Sequence, residues 1–288
     1  MNDSDFIQWL LQAETPSIRY FTLRHLLGRP EGDSEVAAVR KRMNTAGPIP
    51  VILSGQTDTG RWKGERSYYT PKYTSTHWSM LMLTELAADG SDPRMVKGAS
   101  FMLSATHDEL KTTLERGGHG LSCFWGNLLR YAVHCGQVDH PQIQDILQYL
   151  TNDAQNGWCC SYNDGLPCAW GAARAVWGLA SVLALRASSI VDAVIKNGTY
   201  FLLENDRLIK ANYPTVGKIH PLWFRLNFPL FYQADILFVL RIMAELRMLD
   251  HSGAGPALEW LVARRNRRGN WRGSNPFTRR TWSVMPNP

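Results

Sequence analysis

Residues 54–62 read SGQTDTGRW and residues 264–271 read RRNRRGNW. Both end in Gly-x-Trp, at Gly60-Arg61-Trp62 and Gly269-Asn270-Trp271, and a related Gly-Trp stands at Gly157-Trp158. A second element alternates with the first. Trp78-Ser79, Trp125-Gly126 and Trp170-Gly171 each set Trp beside a small residue near the start of an apolar segment, 47 and 45 residues apart, and Trp282-Ser283 repeats the pair. Each unit therefore reads as a helix, a Gly/Trp turn, a second helix opening on Trp, and a return. A recurrence of this length is that of a helical hairpin, and stacked hairpins make an open solenoid or a closed ring.

The remainder of the chain agrees with a helical array. No sustained period-2 alternation bounded by hairpin turns occurs. Thr15-Pro16 is expected to cap a helix through PSIRYFTLRHLLG, with Pro16 at the tolerated first position and Gly28 as its stop. Apolar-periodic segments are expected to be helical at 34–44, 77–88, 93–103, 123–135, 141–150, 168–186, 189–203, 229–249 and 255–264, joined mostly by short turns at Gly, Asp and Pro.

With 288 residues, 44% apolar and 19% charged, the composition is that of a globular chain with a real core. The opening MNDSDFIQWLL is acidic where a secretory leader is basic, and no apolar run reaches the length of a membrane span. Five cysteines, an odd number, argue against a disulfide framework and for a reducing compartment. The expectation is a cytoplasmic protein without a transmembrane segment.

SGQTDTGRW resembles the Gln-xxx-Gly-x-Trp motif of the squalene-cyclase/protein-prenyltransferase repeat, through Gln56, Gly60 and Trp62, and RRNRRGNW resembles a degenerate copy with Arg at the Gln position. YYTPKYTSTHW (68–78), GNLLRYA (126–132) and NFPLFYQADILFVLRIM (227–243) also look like bacterial proteins carrying this repeat. The resemblance spans most of residues 45–285. It implies an all-α fold, an α/α toroid of alternating inner and outer helices around a central cavity, as one domain over 1–288 with 1–45 as an N-terminal helical extension. The inner helices would be 77–88, 123–135, 168–186 and 229–249. Another would begin after Trp282-Ser283, so the ring is expected to be incomplete at the C-terminus or closed by the N-terminal helices.

Several residues could carry chemistry in such a fold. On a helix 229–249, Asp235 would have Phe231, Tyr232, Phe238 and Val239 as its i±3 and i±4 neighbours, and a carboxylate in that stripe needs a partner or a raised pKa. Arg174 is flanked in the same way by Trp170, Gly171, Trp177 and Gly178. Asp235 then reads as a general acid, with Arg174 tuning it or holding a ligand anion. The alternative is a structural Asp–Arg pair bridging two inner helices. His77, opening an inner helix, is a second acid/base candidate. Trp78, Trp125, Asn127, Trp170, Trp223, Phe231 and Tyr232 would line the cavity or its mouth, where aromatic faces stabilise a carbocation or hold an apolar chain. The plainer alternative is core packing, which is the expectation for Trp62, Trp158 and Trp271 in the outer turns.

Cys123 and Cys168 each precede an inner-helix Trp by two residues, Cys160 lies in the loop before Cys168, and His220 precedes the next inner helix. These four are expected at one mouth of the cavity and would satisfy tetrahedral zinc. Protein prenyltransferases hold zinc with Asp, Cys and His at this rim, and Asp164, Cys168 and His220 are the analogous types here. The alternative is that the thiols pack as small buried side chains. Cys135 lies too far along its helix to join them.

The net charge is +6, and arginines concentrate in ARRNRRGNWRGSNPFTRRTW (263–282). That segment reads as a solvated basic loop rather than a nucleic-acid contact, and a phosphate- or diphosphate-bearing ligand would also suit it. No Asp-x-Asp-Asp acid motif, P-loop, nucleotide fingerprint or HExxH occurs. The expected function is therefore a terpene-cyclase- or prenyltransferase-like protein that binds or converts an isoprenoid or similar apolar ligand, by acid-initiated chemistry if it is an enzyme. The alternative is a non-catalytic toroid scaffold for a partner protein or lipid, with a protein partner or second copy covering the open C-terminal edge.

Overall fold

The computed structural model describes residues 3–62, 67–204, 208, 214–215, 218–277 and 279–282. Ser283, and the helix expected to follow it, lie outside the described residues. Among the described residues twelve α-helices run in order: α1 (Asp3–Leu11), α2 (Pro16–Phe21), α3 (Ser34–Met43), α4 (Pro48–Ser54), α5 (Thr76–Glu85), α6 (Pro93–Glu115), α7 (Ser122–His134), α8 (Pro141–Gln155), α9 (Ala169–Leu183), α10 (Ser189–Leu203), α11 (Ile236–Glu245) and α12 (Gly255–Ala263). The all-α reading holds. Apart from isolated bridges, strand pairing among the described residues is one two-residue antiparallel ladder, Pro214–Thr215 against Lys218–Ile219. No described helix is long and apolar enough to cross a membrane.

The chain sorts into two compact units. The first comprises residues 1–98, 266–270 and 277–287, and the second comprises 99–265, 271–276 and 288. In the first unit, Thr15 stands at the expected N-cap of α2 but makes no side-chain cap bond, and α2 continues into a π turn over Thr22–Leu26. Asp33 caps α3 by accepting from Glu35 N–H and Val36 N–H. The sequence reading misses α4 because Pro48 and Pro50 look like breakers. Both fall in the first turn, where a missing N–H costs nothing. α5 is buried from Thr76 to Leu83, so it is a core helix with no polar face.

In the second unit alternate helices form layers. α7 packs on α9 and α9 on α11, while α8 packs on α10. α9 is buried almost all round, whereas α8 buries one stripe, Ile143, Ile146, Leu150 and Ala154 among it. α6 joins the α8 side through a buried hydrogen bond from Gln142 Nε2 to Thr106 Oγ1, 2.9 Å. The backbones of α7 and α9 touch. A Cβ on Gly126 would lie 2.6 Å from Arg174 C and Ala175 N, and one on Gly178 would lie 3.0 Å from Gly126 C. The small residue after Trp125 is thus required by a helix crossing that leaves no room for a side chain.

The two Gly-x-Trp turns share one geometry. Thr57 N–H donates to Arg61 O at 2.8 Å and Asn266 N–H to Asn270 O at 2.8 Å, while Gly60 N–H and Gly269 N–H return to Thr57 O and Asn266 O. Gly60 and Gly269 both have φ of 84°, a conformation that favours glycine. Trp62 Nε1 donates to Ile52 O and Trp271 Nε1 to Leu261 O, each 2.6 Å and each ten residues upstream. Gln56 Nε2 bonds Gly60 O and Arg94 O at the start of α6, and Arg265, at the matching position, lies over the Trp271 ring at 5.2 Å. Gly157-Trp158 differs: Trp158 itself has φ of 60°, and its N–H closes α8 onto Asp153 O. Its ring nevertheless wedges against Gly198 of α10 as Trp62 wedges against Gly98 of α6.

Candidate functional site

A buried polar cluster lies in the second unit, where segment 227–235 meets α7 and α9. A helix over 229–249 is not what forms: α11 begins only at Ile236, and Asp235 is its N-cap. Phe231 has φ of 60°, which breaks helical continuity before Asp235. Asp235 Oδ1 accepts Phe238 N–H at 2.8 Å, and Oδ2 accepts Asn227 N–H at 2.5 Å and Asn227 Nδ2 at 3.3 Å. Phe231 and Tyr232 therefore stand before the helix rather than one turn along it. Burial raises the pKa of Asp235, while the Phe238 and Asn227 donors and the Arg174 charge work against the rise.

Arg174 is fully buried on α9 and forks onto one backbone carbonyl, with Nε and Nη2 at 3.0 and 2.7 Å from Gln233 O. Its guanidinium lies 3.9 Å from the centroid of Phe238 and 5.3 Å from that of Trp177. Asn127, also fully buried, donates Nδ2 to Phe231 O at 3.3 Å. One side chain from each of α7 and α9 thus holds the backbone of the segment leading into α11. Asn127 Oδ1, Asn227 Oδ1 and Gln233 Oε1 are buried acceptors without a donor among the described residues.

The thiols gather at the N-terminal ends of α7 and α9. Cys168 N–H bonds Trp158 O at 2.9 Å and Cys160 N–H bonds Leu166 O at 3.0 Å, with Cys159 bridged to Pro167. That pairing turns Cys160 and Cys168 to one face, where their thiols share a hydrogen bond. The bond from Cys168 lowers the Cys160 pKa to about 7, whereas burial holds Cys168 well above its ordinary value. Cys123 is pushed up to about 12 by burial and then by Cys160. Cys135, at the C-cap of α7, is raised to about 12 by burial alone.

His220 does not complete a zinc set. Its Nδ1 accepts Leu222 N–H at 3.1 Å and caps the 3-10 turn Pro221–Phe224, and its ring lies edge-on to Trp170 at 5.0 Å. Desolvation, and then the charge of Arg225, lower its pKa. Cys168 Sγ is likewise occupied, accepting Gly171 N–H at 3.2 Å to cap α9. Among the described residues no group of His, Cys, Asp or Glu is arranged to hold a metal ion, and Asp164 sits in a turn with φ of 52°.

Most of the expected aromatic lining is core. Trp125 is buried and touches Tyr149, and Trp223 is buried with Nε1 on Leu208 O. The half-buried exception is Tyr232, which with the half-buried His220 flanks Trp170 at ring distances of 6.0 and 5.0 Å. His77 and Trp78 belong to the first unit and Asp235 to the second. His77 is fully buried, its ring beside Tyr69 and Trp78, while Trp78 Nε1 donates to Tyr69 O at 2.8 Å. In the same unit Trp282 Nε1 reaches Ser79 Oγ at 3.3 Å.

Sequence reasoning overlooks Asn227, Gln233 and Asp153. Asp153 is fully buried on α8, accepting Gly120 N–H at 2.7 Å and Ser122 Oγ–H, and so clasps the loop that opens α7. Its signal was present: it continues the Ile143, Ile146, Leu150 stripe, past the point where α8 was expected to end. Comparison of the chain with family models, curated proteins and solved structures finds no match.

Proposed function

We propose that the chain is an α/α toroid of the terpenoid-cyclase and prenyltransferase type that binds an isoprenoid or similar apolar ligand. The supporting observation is the duplicated turn at Gln56/Gly60/Trp62 and Arg265/Gly269/Trp271, which carries the same backbone bonds, the same glycine φ and the same indole-to-carbonyl bond. The layered order of α7, α9 and α11 against α8 and α10 accords with it. Binding is favoured over acid-initiated conversion, because both Asp235 oxygens already accept N–H groups. A protonated Asp235 would face donors and have nowhere to pass its proton. Tyr232 and His220, half-buried on either side of the buried Trp170, offer the aromatic wall that such a ligand needs.

Titration with the isoprenoid alcohol farnesol, followed by tryptophan fluorescence and calorimetry, tests this reading. Saturable one-site binding is expected, weakened at least tenfold by Tyr232→Ala and unaltered by Arg279→Ala. No saturable signal, or equal affinity in Tyr232→Ala, would sink it.

A further inference from the structure

Three arginines from separate segments surround a pocket of about 180 Å³ in the second unit, lined by Phe224, Arg225, Leu226, Trp260, Arg264 and Arg272. No carboxylate among the described residues lines it. Arg225 and Arg264 follow the last residues of the 3-10 turn and of α12, and Arg272 comes from the strap after the second Gly-x-Trp turn. All three are exposed, and none is paired with a described acidic side chain. The three arginines that line the pocket therefore have no counter-charge among the described residues.

The walls are fixed by bonds that have nothing to do with the arginines. Trp271 Nε1 ties the strap to α12 at Leu261 O, 2.6 Å. Two residues beyond Arg272, Ser274 N–H donates to Leu226 O at 3.2 Å and Phe228 N–H to Ser274 O at 2.9 Å. Arg272 is thus held between an indole anchor on α12 and a backbone anchor at Leu226. The floor is the Phe224–Trp260 ring pair, 5.5 Å apart, and Arg264 lies 5.1 Å over the Trp260 ring. Stacking limits the freedom of that guanidinium, so less entropy is lost when it binds an anion.

We infer that this pocket binds a phosphate or diphosphate group. Convergent guanidinium forks match the oxygens of a phosphoryl group, and a planar fork bonds it through paired N–H donors. The volume is below the roughly 300 Å³ at which pockets enclose a whole drug-sized ligand, so the pocket takes a head group and leaves the rest of the molecule outside. The inference stands on the arginines and does not depend on the apolar-ligand reading.

Calorimetry with inorganic pyrophosphate and inorganic phosphate, at low and physiological salt, tests it on the whole protein. Pyrophosphate is expected to bind more tightly than phosphate. Arg264→Ala and Arg272→Ala should each weaken it at least tenfold with unchanged melting temperature, and Arg264→Lys should weaken it less. Arg279→Ala and Arg280→Ala remove exposed arginines that do not line the pocket and should leave binding intact. Vesicles containing phosphatidic acid form a further arm: retention lost in Arg264→Ala and Arg272→Ala would assign the phosphoryl group to a lipid head group, and no retention to a free ligand. Absence of pyrophosphate and vesicle binding alike, or equal losses from all four arginine-to-alanine variants, would overturn the assignment.

Discussion

Replacing Asp235 with alanine strips the acceptor from two buried N–H groups, Asn227 and Phe238, and removes the cap of α11. The expected cost is about 3 kcal/mol, from unsatisfied buried donors together with a lost N-cap. Asp235→Asn keeps one carbonyl acceptor and should cost less than half of that, as read from urea denaturation. If Asp235 served only as an acid, both variants would lose turnover at unchanged stability. The cap was legible in advance, since Asp directly before Ile-Leu-Phe-Val is a helix-start signal. It was obscured by reading the apolar run from Pro229 as one continuous helix. The same habit hid three histidine caps, His140, His220 and His251, whose Nδ1 atoms accept the N–H two residues on. Periodicity weighs side-chain polarity and takes no account of which backbone donors a helix leaves open.

The crossing of α7 and α9 is the element on which the second unit depends, and Gly126 sits where their backbones meet. Gly126→Ala should lower stability by about 1–3 kcal/mol, because the nearest atoms are peptide backbone and cannot rotate away. Gly255→Ala, at a helix start with nothing within 4 Å of the added carbon, should remain within about 1 kcal/mol of wild type and lean to the stable side. Comparative thermal melts of the two variants check this, and equal destabilisation would refute the crossing argument. Most helices fall within a few residues of their sequence-based limits, and 189–203 matches α10 at both ends. The misses have local causes. α6 runs on to Glu115 past a polar stretch because Thr106 returns its hydroxyl to Met102 O and Leu110 stays buried.

At the scale of the molecule, buried carboxylates set a pH dependence with an unusual sign. Asp153 and Asp235 both have pKa values raised by burial above the ordinary 3.8. The native state then holds protons that the unfolded chain has released, so their contribution to stability falls as pH rises from 3.8 through the raised values. Asp153→Asn should flatten that fall in denaturation midpoints measured across mildly acidic pH. A slope unchanged from wild type would show that Asp153 does not titrate in this window.

The repeat, the helical class and the Gly-x-Trp turns follow from sequence alone, because spacing, glycine conformation and apolar periodicity are local properties written residue by residue. Nothing local could show that Arg265 stacks on Trp271 where the matching Gln56 hydrogen-bonds Gly60 O and Arg94 O, or that Asn127 and Arg174 hold the carbonyls of Phe231 and Gln233. Nor could it show that His220 spends Nδ1 on a helix cap, or that Arg225, Arg264 and Arg272 converge on one pocket. Those outcomes depend on which segments the fold brings within hydrogen-bonding reach and which donors and acceptors are already occupied when they arrive. A charge run reads the same in sequence whether its members point to solvent or to one another, and only folding separates the two.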